Sequence, residues 1–254
     1  SSKGALSFAT TSTAAFVASF VSGAYLRRFS ISSLLLLAVV LMGAGLSVMG
    51  SASSFEILLS GSFLLGLSIG YMGVSQNLLV TENVSAANQS KALSGLHAMY
   101  GFASFLAPVI ASQAAIYFGI WRAAFFATAI LCALFFIFQM LIRPEPTFPV
   151  INHEKNNDPD AGRISKTALL SSGGLFGFYV VAEILVSTRL AQYMRTYFQM
   201  DLEQSSQYVT YFFIFLLLGR LFFALKKINL PIRTQMNASL MISLVLLILG
   251  HRFH

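Results

Sequence analysis

Residues 123–142 read AAFFATAILCALFFIFQMLI, a run of 20 residues without Asp, Glu, Lys or Arg. A membrane-spanning helix needs about 20 apolar residues to cross a hydrocarbon core about 30 Å thick. Four longer runs without these charged residues precede it, at 4–26, 29–55, 57–81 and 92–121. Transmembrane β-strands would be about 10 residues long and would alternate in polarity, which these runs do not. The runs therefore predict five transmembrane α-helices.

Three further apolar segments follow, at 167–195, 206–226 and 234–250, which brings the predicted spans to eight. Of the 254 residues, 56% are hydrophobic and 10% are charged, and the mean hydropathy is +0.75. A soluble domain has about 25% charged residues, so this chain could not cover a water-facing surface. The 24 phenylalanines suit a surface that faces lipid. The composition predicts an all-α membrane protein.

The distribution of basic residues explains the net charge of +7. With the spans taken in order, 11 Lys and Arg residues fall on one side of the membrane and 5 on the other. By the positive-inside rule the richer side is cytoplasmic, and both observed ends then face outward. A nucleic-acid partner is not needed to account for the charge, and we expect none.

The segment Arg143–Lys166 is hydrophilic and contains four of the six prolines and eight charged residues. Such a composition cannot bury enough apolar surface to fold and predicts a solvated cytoplasmic linker. It divides the chain into an N-terminal helical half (1–142, five spans), the linker (143–166) and a C-terminal helical half (167–254, three spans).

Small residues recur at helical spacing in two predicted spans. In the third span Ser62, Gly66 and Gly70 recur every fourth residue, and a second group opens the sixth span at Gly173, Gly174 and Gly177. Small residues let helix backbones approach closely in a membrane, where dispersion replaces the hydrophobic drive. Both groups therefore predict tight helix packing.

Five short motifs lie in or beside the predicted spans: GAYLRRFSIS at 23–32, LHAMYG at 96–101, GIWR at 119–122, YVVAE at 179–183 and LGRL at 218–221. Their order and spacing resemble those of the major facilitator superfamily, within its fucose-permease-like sugar transporter branch. The first motif is similar to that family's G-x-L-x-D-R-x-G-R-K loop, in which Gly23 and Arg28 fit whereas Arg27 stands where the family has Asp.

The resemblance implies a major facilitator-like helical bundle in which the eight spans correspond to family helices two to nine of an expected twelve. The chain also begins at Ser1 without Met, so we expect it to be incomplete, and the alternative is a genuine eight-helix protein. The implied protein is an integral membrane protein of a bacterial inner membrane, monomeric when full length, with lipid and a small-molecule substrate as partners. The implied function is secondary active or facilitative transport of a small polar solute, possibly a sugar, by alternating access. Neither an enzyme nor a cofactor nor a metal site is expected.

Two other functions stay open at this point. Abundant Phe and Met also suit efflux of amphipathic compounds, and the same scaffold could serve a membrane receptor or assembly protein that does not transport. The coupling ion is open as well, since family members carry a carboxylate four positions before the residue that corresponds to Asn77, where this chain has Gly73. A coupling proton or cation is therefore a possible partner only.

Polar groups inside a bilayer are costly and usually face the bundle interior, which makes them candidates for a substrate site. Glu183 lies inside the sixth span, with Tyr179 and Ser187 on the same helix face. Its carboxylate could accept hydrogen bonds from a sugar or form a structural ion pair. His97 could exchange hydrogen bonds with a substrate or sit near the cytoplasmic surface, and Tyr100 could stack on a ligand or pack in the bundle.

Gln76 and Asn77 offer amide groups suited to hydroxylated ligands or to interhelical hydrogen bonds. The resemblance implies a further group at the cytoplasmic loops, where Gly23, Arg28 and Arg220 would belong to gating segments. For Arg220 an alternative is a role in topology and lipid headgroup contact, beside Lys226 and Lys227.

Overall fold

The computed structural model describes residues 2–120, 122–142, 165–226 and 230–252. These residues form eight α-helices and no strand. The helices are α1 (Ser2–Leu26), α2 (Ile31–Ser51), α3 (Phe55–Asn83), α4 (Ala86–Phe118), α5 (Ala123–Ile142), α6 (Lys166–Tyr197), α7 (Leu202–Leu225) and α8 (Ile232–Arg252). The all-α architecture is confirmed, whereas residues 143–164 of the predicted linker lie outside the described residues.

Six of the described helices are long and apolar enough to cross a membrane, namely α1, α2, α3, α5, α6 and α7. In α6 this apolar stretch is Gly173–Tyr197, and α8 contains a shorter one, Arg233–Leu249. The helix α4 is not among the six. The described part of the chain thus has eight helices, as predicted, and six of them are long and apolar enough to span a membrane.

Local sequence determines where several helices begin and end. The Ser30 side chain accepts a hydrogen bond from the backbone N–H of Ser33 at 3.2 Å, and Asp201 does the same for Gln204 at 2.7 Å. Each cap satisfies an N–H group that has no partner within its helix. At the other end of α4, Gly119 adopts φ 68°, the left-handed conformation that closes a helix and that glycine tolerates best.

The interior of the bundle is rich in small residues, although Ile31 and Leu34 are also fully buried, and its exterior carries many large apolar ones. Ala14, Ala18 and Ala38 are almost wholly buried, whereas Phe20 and Phe178 are 72% and 80% exposed. In water this arrangement would be unfavourable, but in a bilayer the large side chains face lipid tails as apolar as themselves. The distribution agrees with the predicted lipid-facing surface.

The small-residue face of α3 packs directly against α1, as predicted. A Cβ added at Gly66 would lie 2.7 Å from Ala14 Cβ, and one at Gly70 would lie 2.7 Å from Ala18 Cβ. Both distances are shorter than carbon–carbon contacts allow. Ser62, one turn earlier, is fully buried in the same contact. The absence of side chains at two helical turns therefore sets the α1–α3 distance.

The second group of glycines does not pack in this way. A Cβ at Gly173, Gly174 or Gly177 would meet no atom within 4 Å. In the described part of the chain α6 packs only against α7, and this contact lies elsewhere on α6. The prediction of tight packing at these three positions is wrong here, because the spacing of small residues does not specify which helix, if any, lies opposite.

The remaining contacts set the layout that positions the site. α2 packs against α3 on one side and α5 on the other, and α4 packs against α5 and α3. α4 also packs against α7, which in turn packs against α6. Arg122, in the turn between α4 and α5, donates a hydrogen bond to the carbonyl of Ala52 at 2.7 Å, at the C-terminal end of α2. A cation is favourable there because a helix C-terminus carries partial negative charge.

Candidate functional site

An ion pair joins α6 and α7 within the bundle. Arg220 Nη2 lies 3.2 Å from Glu183 Oε1 and 3.1 Å from Glu183 Oε2, and the same nitrogen donates to the hydroxyl of Tyr179 at 3.1 Å. Both charged side chains are 16% exposed. The pair is therefore sheltered, yet part of each group stays accessible to a solute. We call Arg220, Glu183, Tyr179, His97 and Tyr100 the Arg220 cluster.

The sequence of α6 places two members of the cluster on one face. Tyr179 and Glu183 are four residues apart, one turn of an α-helix, so their side chains lie side by side. Their common partner Arg220 confirms the predicted shared face. Ser187, the next residue along that face, donates instead to the carbonyl of Ile184 at 3.1 Å.

α4 contributes the other side of the cluster. Arg220 Nη1 donates to the backbone carbonyl of His97 at 3.2 Å, and the guanidinium carbon lies 5.7 Å from the centroid of the Tyr100 ring. A cation within about 6 Å of an aromatic face is attracted to its π electrons. Tyr100 is 60% exposed, so its ring also offers a free surface. The interaction that the structure assigns to His97 is thus made by its carbonyl, whereas the sequence had suggested its imidazole.

Gly101 brings α4 and α7 close enough for these contacts. It is buried, and a Cβ at this position would lie 3.5 Å from Leu217 Cβ, at van der Waals distance. Leu217 precedes Arg220 by almost one helical turn, so the guanidinium lies beside the α4 backbone. In the described part of the chain, α4 and α7 are the sole pair of helices that connects α1–α5 with α6–α8.

The electrostatics of the cluster are balanced. An isolated charge in a low-dielectric interior is very costly, and it becomes tolerable when it is paired and its remaining hydrogen-bonding groups are satisfied. Arg220 meets this condition by using one terminal nitrogen for Glu183 and Tyr179 and the other for His97. The arrangement presents donors, acceptors and an aromatic face within one small region.

Gln76 and Asn77 lie apart from the cluster. The Asn77 side chain donates to the carbonyl of Gly73 at 2.8 Å, within its own helix. Gln76 is half-buried on the same helix. In the described part of the chain α3 packs on neither α6 nor α7, so the structure does not bring these amides together with Glu183.

Gly23 and Arg28 lie at the C-terminal end of α1, and both are exposed. Arg28 begins the turn to α2 by donating its backbone N–H to the carbonyl of Tyr25 at 3.0 Å. Arg220, which the sequence had grouped with them in the cytoplasmic loops, lies inside α7 instead, and its side chain points towards α4 and α6. That placement in a loop is corrected here.

Sequence reasoning missed the central position of Arg220, although one signal was available. An acid inside a span requires a counter-charge, and Arg220 is a base inside the span that follows Glu183. The nearby Lys226 and Lys227 instead made it look like part of a charged helix end. The role of Gly101 in the α4–α7 contact had no sequence signal beyond its place in the LHAMYG motif.

A bundle of apolar helices with a lipid-type exterior and a sheltered polar cluster defines a polytopic integral membrane protein. The family model of the Major Facilitator Superfamily matches residues 1–252. The chain therefore belongs to the Major Facilitator Superfamily, a family of membrane transporters. No curated protein sequence matches the chain.

Proposed function

We propose that this protein carries a small polar solute, such as a sugar, across a bacterial inner membrane by alternating access, and that the Arg220 cluster is its binding site. The proposal places the chain in the fucose-permease-like branch of the superfamily. One observation carries it: Arg220 joins groups from α4 and α6, which lie on opposite sides of the predicted linker.

The chemistry of the cluster suits a hydroxylated solute. A hydroxyl group can donate to Glu183 and accept from Arg220 or Tyr179 at the same time. Sugar rings also present apolar C–H faces, and the exposed ring of Tyr100 supplies a matching surface. Both charged side chains keep 16% of their surface exposed, so the helices do not fully enclose them.

The position of the cluster suits alternating access. In that mechanism two helical halves rock about a site between them. The contact between α4 and α7 connects the helices on either side of the predicted linker, and the cluster borders this contact. A solute bound there would contact both halves and would become accessible to each side of the membrane in turn as the halves move.

Two alternatives are less well supported. The phenylalanines that favoured efflux of amphipathic compounds include Phe20, Phe178 and Phe215, all at least 72% exposed on the outside of the bundle, where they meet lipid rather than the cluster. A receptor or assembly protein that does not transport would need a site without flux, and the cluster by itself does not favour that function.

The test is solute uptake into proteoliposomes that contain the purified full-length protein, with radiolabelled hexoses as probes. We expect saturable uptake that falls at least about tenfold in Glu183→Gln, since a hydrogen bond to a charged group contributes about 1.5–3 kcal/mol. Glu56→Gln is the matched control, because Glu56 is an exposed acid in the first turn of α3. Collapse of the ion gradients then separates secondary active from facilitative transport.

Full uptake by Glu183→Gln would remove Glu183 from the binding site. Saturable binding without flux would favour the receptor, and flux of amphipathic dyes without hexose uptake would favour efflux. An equal loss of uptake in Glu56→Gln would mean that the assay reports general damage rather than the site.

A further inference from the structure

The charges of the Arg220–Glu183 pair cancel. The two side chains carry one formal charge each, of opposite sign. The next charged residue along α6, Arg189, directs its guanidinium to Gln192 at 2.9 Å. Arg189 is six residues from Glu183, about 9 Å along the helix axis. The ion pair that a solute would meet is therefore neutral as a whole, although it contains a full positive and a full negative charge.

The guanidinium of Arg220 is fixed independently of Glu183. Its Nη1 bonds the carbonyl of His97, a backbone atom within a helix, and its Nη2 also reaches the hydroxyl of Tyr179. Loss of the carboxylate would therefore leave the positive charge in the same place, with two of its hydrogen bonds intact. The two charges can thus be changed one at a time.

We propose that the Arg220–Glu183 pair is a charge filter that admits solutes without net charge and rejects anions and cations. This inference rests on the proposed function and names Glu183 and Arg220 as the residues that determine specificity at that site. It identifies the substrate class as net-neutral hydroxylated compounds.

The physical reason lies in the cost of separating a sheltered ion pair. A neutral hydroxylated solute can hydrogen-bond both partners while they remain paired. An anion that replaces Glu183 on Arg220 leaves a carboxylate unpaired in a sheltered site, and an anion that binds Arg220 beside Glu183 brings two negative charges together. A cation that replaces Arg220 on Glu183 likewise leaves a guanidinium unpaired beside a second positive charge. Specificity of this kind comes from the cost imposed on the wrong ligand.

The experiment measures binding of three ring-matched hexoses to the purified full-length protein in detergent: glucose (neutral), glucuronate (anionic) and glucosamine (cationic). The wild type should bind glucose more tightly than either charged hexose. Glu183→Gln should shift the ratio of glucuronate to glucose affinity by at least about tenfold towards glucuronate, because Arg220 is then free to bind a carboxylate. Arg220→Gln should shift the ratio for glucosamine in the same direction by a similar factor.

The double variant Glu183→Gln/Arg220→Gln is neutral again and should recover the preference for glucose, with lower affinity. A charge filter requires this reversal, whereas general damage to the site would give the double variant the weakest discrimination of all. The wild-type panel tests the inference even if a single variant fails to fold, since equal or tighter binding of glucuronate or glucosamine by the wild type would overturn it.

The binding experiment distinguishes failure of the charge filter from failure of the proposed sugar carrier. Binding of glucose with affinity ratios that do not change in either single variant overturns the charge filter and leaves the proposed sugar carrier standing. No response to any of the three hexoses in any of the four proteins overturns both.

Discussion

Replacing Gly101 with leucine should separate α4 from α7 and release Arg220 from α4. A Cβ at position 101 would lie 3.5 Å from Leu217 Cβ, which is ordinary contact, so alanine fits without movement. Leucine adds carbons beyond Cβ that must displace α7 by about 1.5 Å, one carbon–carbon bond length. The Arg220 Nη1–His97 hydrogen bond, at 3.2 Å, is already at the long end for N–H···O and would break.

The magnitude follows from two contributions. Overpacking a well-packed contact costs about 1–3 kcal/mol. An interhelical hydrogen bond in a membrane contributes about 0.6 kcal/mol on average and at most about 1.7. We therefore expect Gly101→Leu to lose about 2–4 kcal/mol of stability, with most of the loss steric. Gly101→Ala should stay within about 0.5 kcal/mol of the wild type, because it displaces nothing.

The assay is unfolding in mixed detergent micelles, combined with hexose binding by the same samples. Gly95→Leu is the matched control, since Gly95 lies on the same helix and a Cβ there would meet no atom within 4 Å. We expect the wild type, Gly101→Ala and Gly95→Leu to be similar in stability and Gly101→Leu to be much less stable than all three. Equal stability of Gly101→Leu and Gly95→Leu would refute the reasoning, and so would full hexose binding by Gly101→Leu.

Three other predictions concern separate contacts. Gly66→Ala should destabilise the protein by about 1–3 kcal/mol, because its Cβ would overlap α1. Gly73→Ala on the same helix is the control and should be neutral, and the measurement is the unfolding midpoint of each variant in detergent. Arg122→Leu should lose about 1–2 kcal/mol in the same measurement, since the bond to the Ala52 carbonyl ties α2 to the turn before α5. Arg220→Lys should keep the preference for neutral hexoses but weaken their binding about tenfold, because one ammonium cannot reach partners on both α4 and α6.

The sequence predicted the helices well because a bilayer imposes a simple rule. Charged residues are excluded from its core, so the charge-free run 29–55 contains α2 and the run 123–142 coincides with α5. Helix ends differ from the ends of these runs because capping residues set them. The run begins at residue 29, but α2 begins two residues later at Ile31, after Ser30, whose side chain accepts a hydrogen bond from the first turn.

Pairing between helices was only partly predictable, and the two glycine groups show why. Both have small residues at helical spacing, yet a Cβ added at Gly66 or Gly70 would meet α1, whereas one added at Gly173 or Gly177 would meet no described atom within 4 Å. A local pattern indicates that close approach is possible but does not identify the neighbouring helix. The same limit applied to Glu183, whose need for a counter-charge was visible while the identity of Arg220 as that partner depended on the packing of α6 against α7.

The remaining step is to distinguish a pair that holds the bundle together from one that recognises a solute. Glu183 and Arg220 could serve only to join α6 to α7, and truncating either would then reduce stability and binding in parallel. The geometry also suits recognition of a solute, because both charged side chains keep 16% of their surface exposed and the 60% exposed ring of Tyr100 lies 5.7 Å from the guanidinium carbon. Arg220 also has anchors at His97 and Tyr179 that would hold α4, α6 and α7 together without the carboxylate. Loss of the carboxylate would still leave the Arg220 charge unpaired in a sheltered site, so stability and recognition must be measured on the same variant. A change in the ratio of glucuronate to glucose affinity in Glu183→Gln that exceeds its loss of stability distinguishes recognition of a solute from a purely structural pair.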